Sequence, residues 1–242
     1  MRFTRPGGAI LAAVVLLVGA ETAAGEPLTN SAEMISGLST ILLAIAIPIT
    51  LLVEGILGYA IWKFRQSDAP KPTEENRRLE IAWTAATAVI LLVVGILAYS
   101  ALGAPSVTAT EASVEETIES GNPVIVNVTA YQWGWTFHYP QHGFNTSDRL
   151  TLPANRTTVM RIRSADVVHS VHVPALGLKK DAIPGRTNYI QTTIRPAAIR
   201  EEPYVLYCAE FCGAGHSEML ADLTVVSESD YEDWVANQTA TA

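Results

Sequence analysis

Cysteine and charge are both scarce in this chain of 242 residues, which has two cysteines and only 17% charged residues. Two cysteines are too few for a disulfide framework. The Cys-x-x-Cys-His motif of c-type haem attachment is absent, so the sequence indicates no haem of its own. Few charges beside 49% apolar residues favour a membrane protein. The net charge of −8 argues against nucleic acid as a partner and favours a cationic one.

The first 25 residues have the pattern of a secretory signal peptide. Arg2 and Arg5 supply a positive start, and residues 9–20 form an apolar stretch that is too short to cross a bilayer. The small residues 23–25 then form a cleavage site of the kind that a signal peptidase recognises. An uncleaved membrane anchor is the alternative interpretation.

Two longer apolar runs, residues 35–62 and 81–102, exceed the roughly 20 residues that a helix needs to cross a bilayer. The connector between them carries five Lys or Arg residues, whereas the segment just after residue 102 carries only acidic ones. By the positive-inside rule, the connector is cytoplasmic and everything after residue 102 is external. We therefore predict a transmembrane hairpin over residues 26–104 and an external domain over residues 105–242.

Two residues of the first apolar run are unusual for a membrane span. Pro48 predicts a kink or a tilt, because a proline inside a helix removes a backbone hydrogen bond. Glu54 is a carboxylate within the run, and such a group by default indicates a function. The alternative is that Glu54 contacts a partner subunit or water near the inner end of the span.

The external domain has the pattern of an all-β structure. Short runs of alternating apolar and polar residues, separated by turn residues, predict an antiparallel sandwich or barrel. No helical crossover pattern interrupts them, so a parallel sheet is not expected. Ser229 and Glu232 have the spacing of a capping box and predict a short C-terminal helix. The runs are residues 124–130, 135–139, 157–163, 187–194, 204–207 and 220–226.

Residues 208–219 concentrate soft metal donors in the order Cys208, Cys212, His216 and Met219. Thiolate, imidazole and thioether suit copper, zinc or iron–sulfur and exclude calcium and magnesium. Two thiolates four positions apart can face each other across a tight loop and bridge two metal ions. Each ion then needs its own imidazole and a weaker axial donor, and this loop supplies one imidazole and one thioether.

The remaining donors of such a pair must come from other positions. The second imidazole is available at His169 or His172, and positions three apart on a strand point to opposite faces, so only one can face the loop. The backbone carbonyl of Glu210 lies between the two cysteines and can serve as the other weak donor. Two alternatives are a disulfide, which an external compartment permits, and a structural Cys₂His₂ zinc site, which would leave Met219 unused.

Four stretches together resemble subunit II of the haem–copper oxidases, with its binuclear copper (Cu-A) signature. They are residues 131–135, 166–174, 177–186 and 208–219. The resemblance implies a transmembrane α-hairpin followed by an all-β, cupredoxin-like Greek-key sandwich with a short C-terminal helix. It also implies that two copper ions are bound by His169, Cys208, the Glu210 carbonyl, Cys212, His216 and Met219.

The resemblance further implies an electron-transfer role in a respiratory oxidase of the cell membrane. Cytochrome c, or a small blue-copper protein, would donate electrons at the external face. They would pass to haem in oxidase subunit I, where O₂ is reduced to water with proton translocation, and subunit III would complete the partners. The domain from residue 104 onward has sixteen acidic and nine basic residues, a balance that suits a cationic donor.

Three further site residues are implied by the same resemblance. Trp133 would be the surface entry point for electrons, although core packing is the plainer interpretation of Trp133 and Trp135, which share a strand face unless Gly134 introduces a bulge. The Glu210 side chain would help to hold magnesium or manganese at the junction with subunit I, or it is a solvated loop residue. Glu80 would open a proton path, or it is an interfacial charge.

Two other functional classes remain to be separated from this one. A quinol oxidase subunit would lack the copper ligands, and their presence here argues against it. A non-redox module on a membrane anchor, stabilised by zinc or delivering copper, would use the same donors. Metal content and the near-infrared spectrum distinguish these classes.

Overall fold

The structure, a computed structural model, describes residues 26–67, 72 and 74–240. The predicted signal segment, residues 1–25, lies outside the described residues. The helices are α1 (Asn30–Phe64), α2 (Arg77–Leu102), α3 (Glu111–Ser120) and α4 (Glu228–Ala240). The strands are β1 (Val124–Tyr131), β2 (Gly134–Tyr139), β3 (Phe144–Ser147), β4 (Arg149–Pro153), β5 (Thr157–Ser164), β6 (His169–Val173), β7 (Leu178–Ala182), β8 (Asn188–Thr193), β9 (Tyr204–Cys208) and β10 (Leu220–Val226).

Helices α1 and α2 are the two predicted membrane spans, and both are long and apolar enough to cross a bilayer. Each has a window of mean hydropathy 2.4 that is not buried inside the chain, so its apolar surface is available to lipid or to another subunit. Each helix begins several residues before the apolar run because a polar side chain caps it. Thr29 caps α1 and Asn76 caps α2. Helix α1 includes Pro48 and remains one continuous helix.

The external domain is a sandwich of two five-stranded sheets, with orders β3-β2-β1-β5-β8 and β4-β10-β9-β6-β7. The prediction of a purely antiparallel sheet is wrong, because β1 pairs with β5 and β4 with β10 in parallel. Strands that are distant in sequence form these two pairs, and the chain visits the opposite sheet between them. A parallel pair therefore needs no helical crossover in a sandwich.

Alternation of burial, most regular in β1, builds the core between the sheets. Strand β1 alternates buried and partly buried residues along its whole length, as expected when one face of a strand packs inward. At one end of the sandwich, Tyr139, Phe144, Tyr231 and Trp234 form an aromatic cluster that attaches α4 to the sheets. The opposite end, where β6 begins and β9 ends, carries the soft donors.

Two helix predictions need correction. The C-terminal helix exists, but Ser227 rather than Ser229 caps it: Asp230 N donates to Ser227 Oγ at 3.1 Å, and Ser227 Oγ donates to the Asp230 carboxylate at 2.6 Å. Helix α3 was not predicted, because its sequence is acidic and lacks an apolar stripe. Thr110 and Ser113 cap it reciprocally, and Val114 is its one buried residue.

The start of α1 is bonded directly to the sandwich. Thr29 is fully buried and donates from Oγ1 to the Leu176 carbonyl at 2.9 Å. The Asn30 side-chain oxygen accepts from Thr192 Oγ1 at 3.1 Å and from Thr193 N at 3.0 Å. The membrane hairpin and the external domain are therefore joined by buried hydrogen bonds as well as by the chain.

Candidate metal centre

The candidate centre forms where β6, β9 and the loop before β10 meet. Strands β6 and β9 are antiparallel neighbours, with Val171 opposite Cys208. Cys208 N donates to the Met219 carbonyl at 3.1 Å and closes the loop of residues 209–218 upon itself. Ala209 N donates to the Ser170 carbonyl at 3.0 Å and fixes the loop to β6. The backbone therefore holds the donors before any metal binds.

Four donor atoms surround the pair of cysteine sulfurs. The two Sγ atoms lie 3.8 Å apart, well beyond the roughly 2.05 Å of a disulfide bond, and both thiols are free and buried. Nδ1 of His169 lies 3.8 Å from the Cys208 sulfur, and Nδ1 of His216 lies 3.6 Å from the Cys212 sulfur. The Met219 sulfur is 3.7 Å from Cys212 Sγ. The Glu210 carbonyl oxygen is 3.1 Å from Cys208 Sγ.

The spacing of these donors fits two ions better than one. His169, Cys208 and Cys212 offer ligand atoms that all lie within 4.8 Å of one another. Among the described residues His216 is not a member of this group, and its Nδ1 lies next to the Cys212 sulfur. The four donors of one tetrahedral zinc ion would all lie within about 4 Å of each other. The two imidazoles instead lie against different sulfurs, as a sulfur-bridged pair requires.

His172 lies outside this cluster, in agreement with the alternation along β6. Its ring stacks edge-on against Tyr207, with centroids 4.9 Å apart, and it is paired in register with Lys179 on β7. Partial burial, with the nearby Lys179 charge, lowers the pKa of His172. His169, by contrast, is completely buried and faces the sulfurs.

The Cys212 thiol is protonated in the absence of a metal. Burial raises the pKa of Cys212 to about 11, and the hydrogen bond with Cys208 and the charge of that neighbour add to the effect. A cation in the site would reverse this balance, because a metal ligand thiol is bound as thiolate. Binding of a metal at neutral pH therefore releases a proton from Cys212.

Asp166 supports the centre from outside the donor set. Its Oδ1 lies 2.8 Å from Nε2 of His169, which leaves Nδ1 free to face the sulfurs. Partial burial alone would raise the pKa of Asp166, but the hydrogen bonds from His169, Gln132 N and Val167 N lower it to about 2. Such a carboxylate–histidine contact commonly orients a metal ligand. Asp166 was not proposed as a site residue from sequence, and its only signal was its position three residues before His169.

Trp133 lies at the protein surface, across the loop of residues 209–218. This loop carries candidate ligands and is called the metal-binding loop below. Its indole Nε1 donates to the Cys212 carbonyl at 3.1 Å, and the Gln132 side-chain amide donates to the same oxygen at 2.7 Å. A Cβ on Gly215 would come within 2.6 Å of the indole ring, so only glycine allows the ring to lie this close. Trp133 is 44% exposed, whereas Trp135 is fully buried. The two tryptophans therefore do not share a face, because Trp133 precedes β2.

Comparison with known proteins decides the family. Residues 24–101 match the model "Cytochrome C oxidase subunit II, transmembrane domain", and residues 142–226 match "Cytochrome C oxidase subunit II, periplasmic domain". Cytochrome c oxidase subunit 2 of Cereibacter sphaeroides is 31% identical over 244 residues, which cover 84% of this chain and 76% of that protein. The chain belongs to the cytochrome c oxidase subunit II family.

Other members of the family show similar relationships. Subunit 2 of Synechocystis sp. is 31% identical over 246 residues, covering 85% of this chain and 72% of the relative. The chain spans 66% of the length of the probable subunit 2 of Rickettsia felis, at 30% identity. Among solved structures, the periplasmic domain of subunit II from Bradyrhizobium japonicum has 26% identity and a TM-score of 0.45, covering 49% of this chain and 94% of that one.

Family membership settles the coarse expectations from the sequence. The copper-binding family to which the chain belongs agrees with a His/Cys/Cys cluster that can hold metal. The transmembrane and periplasmic matches indicate a membrane protein with an external C-terminal domain. The predicted architecture of two apolar helices, a β-sandwich and a C-terminal helix is confirmed.

Glu80 lies far from the candidate metal centre in the chain, on a different element from the predicted metal ligands. Glu80 is exposed in the first turn of α2, on the membrane hairpin rather than in the sandwich. Glu210 is partly buried in the metal-binding loop, and its carbonyl faces Cys208 while its side chain carries no ion pair among the described residues. Glu54 is exposed on α1.

Proposed function

We propose that this subunit accepts single electrons from an external donor at a binuclear copper centre and passes them to haem in oxidase subunit I. The proposed ligands are His169, Cys208, the Glu210 carbonyl, Cys212, His216 and Met219. The observation that carries the proposal is the division of the donors between two sulfurs 3.8 Å apart, with one imidazole near each. Bound copper would supply the one-electron carrier.

The chain's own contribution is to hold these donors in place and away from water. The two thiols, His169 and Met219 are all buried, with exposed fractions of 0–4%. His169 stands on β6, and the other three stand on or next to a loop that is closed by backbone bonds and fixed to β6. A site on rigid elements changes little when its charge changes, and this keeps the cost of reorganisation low. The neighbouring hydrogen bonds then set the reduction potential.

Electron entry at Trp133 follows from its position between solvent and the loop. The ring is exposed on one side, and its Nε1 donates to the carbonyl of Cys212, a proposed ligand. The neighbouring Phe211 is 83% exposed, which provides an apolar contact for a donor at the same surface. The acidic balance of the external domain would steer a cationic cytochrome c, or a small blue-copper protein, towards it.

The remaining parts of the proposal concern the assembled oxidase. Subunit I and subunit III are the proposed membrane partners, and O₂ reduction with proton translocation belongs to the complex. The Glu210 side chain is proposed to share a magnesium or manganese ion with subunit I. Glu80 is proposed at the cytoplasmic mouth of a proton path. Residues 26–104 form the proposed membrane hairpin, and residues 105–242 the external domain.

Rapid mixing of the assembled oxidase with reduced cytochrome c tests the proposal. A near-infrared copper band should bleach before the haem of subunit I is reduced. His169→Ala should abolish the copper band and the fast phase, whereas His172→Ala, on the same strand but outside the cluster, should keep both. Haem reduction at an unchanged rate in His169→Ala would refute the proposal. A blue-copper donor in place of cytochrome c identifies which donor class gives the faster phase.

A separate experiment addresses Glu80. Proton uptake by the oxidase in vesicles should slow in Glu80→Gln and remain normal in Glu75→Gln, which removes the same charge from the exposed connector before α2. Equal uptake in both variants would remove Glu80 from the proton path and leave the copper proposal intact.

A further inference from the structure

Asp166 accepts hydrogen bonds from two different parts of the site. Its Oδ1 lies 2.8 Å from His169 Nε2 and accepts from Val167 N at 2.6 Å. Its Oδ2 accepts from Gln132 N at 2.7 Å. His169 begins β6, whereas Gln132 lies in the turn between β1 and β2. One carboxylate therefore joins two segments that are separated by more than 30 residues in sequence.

The turn that Asp166 holds also reaches the metal-binding loop. Gln132 Nε2 and Trp133 Nε1 both donate to the Cys212 carbonyl, at 2.7 Å and 3.1 Å. The contacts form a closed ring: Asp166 to His169, His169 to Cys208, Cys208 to Cys212, Cys212 to Gln132, and Gln132 back to Asp166. A displacement of the carboxylate would therefore act on both a proposed copper ligand and the indole.

We infer that Asp166 is a positioning residue that couples the orientation of the His169 imidazole to the position of the Trp133 indole. The inference rests on the proposed function for the roles of His169 and Trp133. Asp166 fixes the tautomer of His169 by accepting from Nε2, so the Nδ1 lone pair faces the sulfurs. Through Gln132 N it fixes the turn that places the indole against the Cys212 carbonyl.

The negative charge gives the coupling a direction that can be measured. A carboxylate bonded to a ligand imidazole makes that ligand more basic and stabilises the oxidised metal. Loss of the carboxylate should therefore raise the reduction potential of the centre. Loss of the bond to Gln132 N should release the turn, because charge-assisted hydrogen bonds are among the stronger ones.

The test compares Asp166→Ala and Asp166→Asn with Glu232→Gln. Glu232 is exposed on α4, at the end of the sandwich opposite the site, and its replacement removes one charge without touching the ring of contacts. The first readout uses the full-length chain without metal. Hydrogen exchange at Gln132 N should be about tenfold faster or more in Asp166→Ala than in the wild type. The acceleration should be smaller in Asp166→Asn, and the rate should be unchanged in Glu232→Gln.

The second readout uses the copper-loaded oxidase complex. Asp166→Ala should raise the reduction potential of the copper centre, change its electron paramagnetic resonance spectrum and lower kcat, with a small effect on KM for cytochrome c. If Asp166 only added charge to a docking surface, its replacement would raise KM and leave kcat and the spectrum unchanged. Added salt would then raise the KM of the wild-type complex in the same way. That pattern would overturn the inference.

The two readouts also separate failure of this inference from failure of the proposed function. Unchanged exchange at Gln132 N in Asp166→Ala would overturn the coupling even if the wild-type protein binds two coppers. If the wild-type chain binds no copper, the proposed function fails, and the exchange measurement still decides whether Asp166 holds the turn. Asp166 lies on the surface with its side chain 32% exposed, so both variants should fold.

Discussion

Replacing Gly215 with alanine should push the Trp133 indole off the metal-binding loop. Gly215 has φ −91° and ψ 13°, a conformation that alanine adopts without backbone strain, so the effect of the substitution is steric. The added Cβ would meet Trp133 Cδ2 at 2.6 Å, Cγ at 2.8 Å and Cε3 at 2.9 Å. Carbon atoms pack at about 3.5–4.0 Å, so the ring must move outward by about 1 Å.

That displacement is enough to break the contact between the indole and Cys212. The Nε1–carbonyl distance of 3.1 Å would lengthen beyond the range of a hydrogen bond, at a cost of about 1 kcal/mol. The added Cβ meets the Trp133 ring and Gly215 supplies none of the proposed ligands, so copper binding should persist. We therefore expect Gly215→Ala to slow electron entry from the donor while the copper content and the copper spectrum stay close to wild type.

Fluorescence and rapid-mixing kinetics measure this effect together. The emission of Trp133 in the metal-free chain is obtained as the difference between each protein and its Trp133→Phe counterpart, and it should indicate a more exposed ring in Gly215→Ala. Gly103→Ala is the control, because the nearest atom to its Cβ is at an ordinary 3.6 Å. Unchanged emission and an unchanged entry rate in Gly215→Ala would refute the reasoning about the indole.

Three further predictions concern stability and the metal. Met219→Leu conserves volume at a fully buried position, so the free energy of unfolding should fall by less than about 1.5 kcal/mol, while the copper spectrum changes because a sulfur donor is lost. Thr29→Val removes the cap of α1 and the donor to the Leu176 carbonyl, and chemical denaturation should show a loss of about 2 kcal/mol. Tyr231 Oη is buried and has no hydrogen-bond partner within the described part of the chain, so Tyr231→Phe should be neutral or stabilising, whereas Tyr231→Ala should cost about 3–5 kcal/mol.

The metal-binding loop was predictable from sequence because its donors are close together in the chain. Cys208, Cys212, His216 and Met219 fall within one loop, and their chemical softness identifies the type of ligand without a fold. Strand alternation predicted that only one of His169 and His172 can face the loop, and the family resemblance assigned that position to His169. The structure places His169 in the cluster and His172 outside it.

The outer contacts of the site could not be predicted, because they depend on how distant segments meet. Gln132 and Asp166 are joined only when the β1–β2 turn and the start of β6 reach the same end of the sandwich. The parallel β1–β5 pair was missed for the same reason, because a local sequence pattern does not show whether two strands run parallel or antiparallel. The shared face expected for Trp133 and Trp135 in the absence of a bulge is not found, because the strand begins at Gly134.

Copper content and the electron paramagnetic resonance spectrum of the full-length protein test the central claim most directly. The account predicts two copper ions per chain and a hyperfine pattern from one unpaired electron shared between two copper nuclei. Cys212→Ser should abolish that pattern, because one of the bridging sulfurs is lost. One metal ion per chain, or a shared-electron spectrum that survives in Cys212→Ser, would contradict a centre bridged by Cys208 and Cys212.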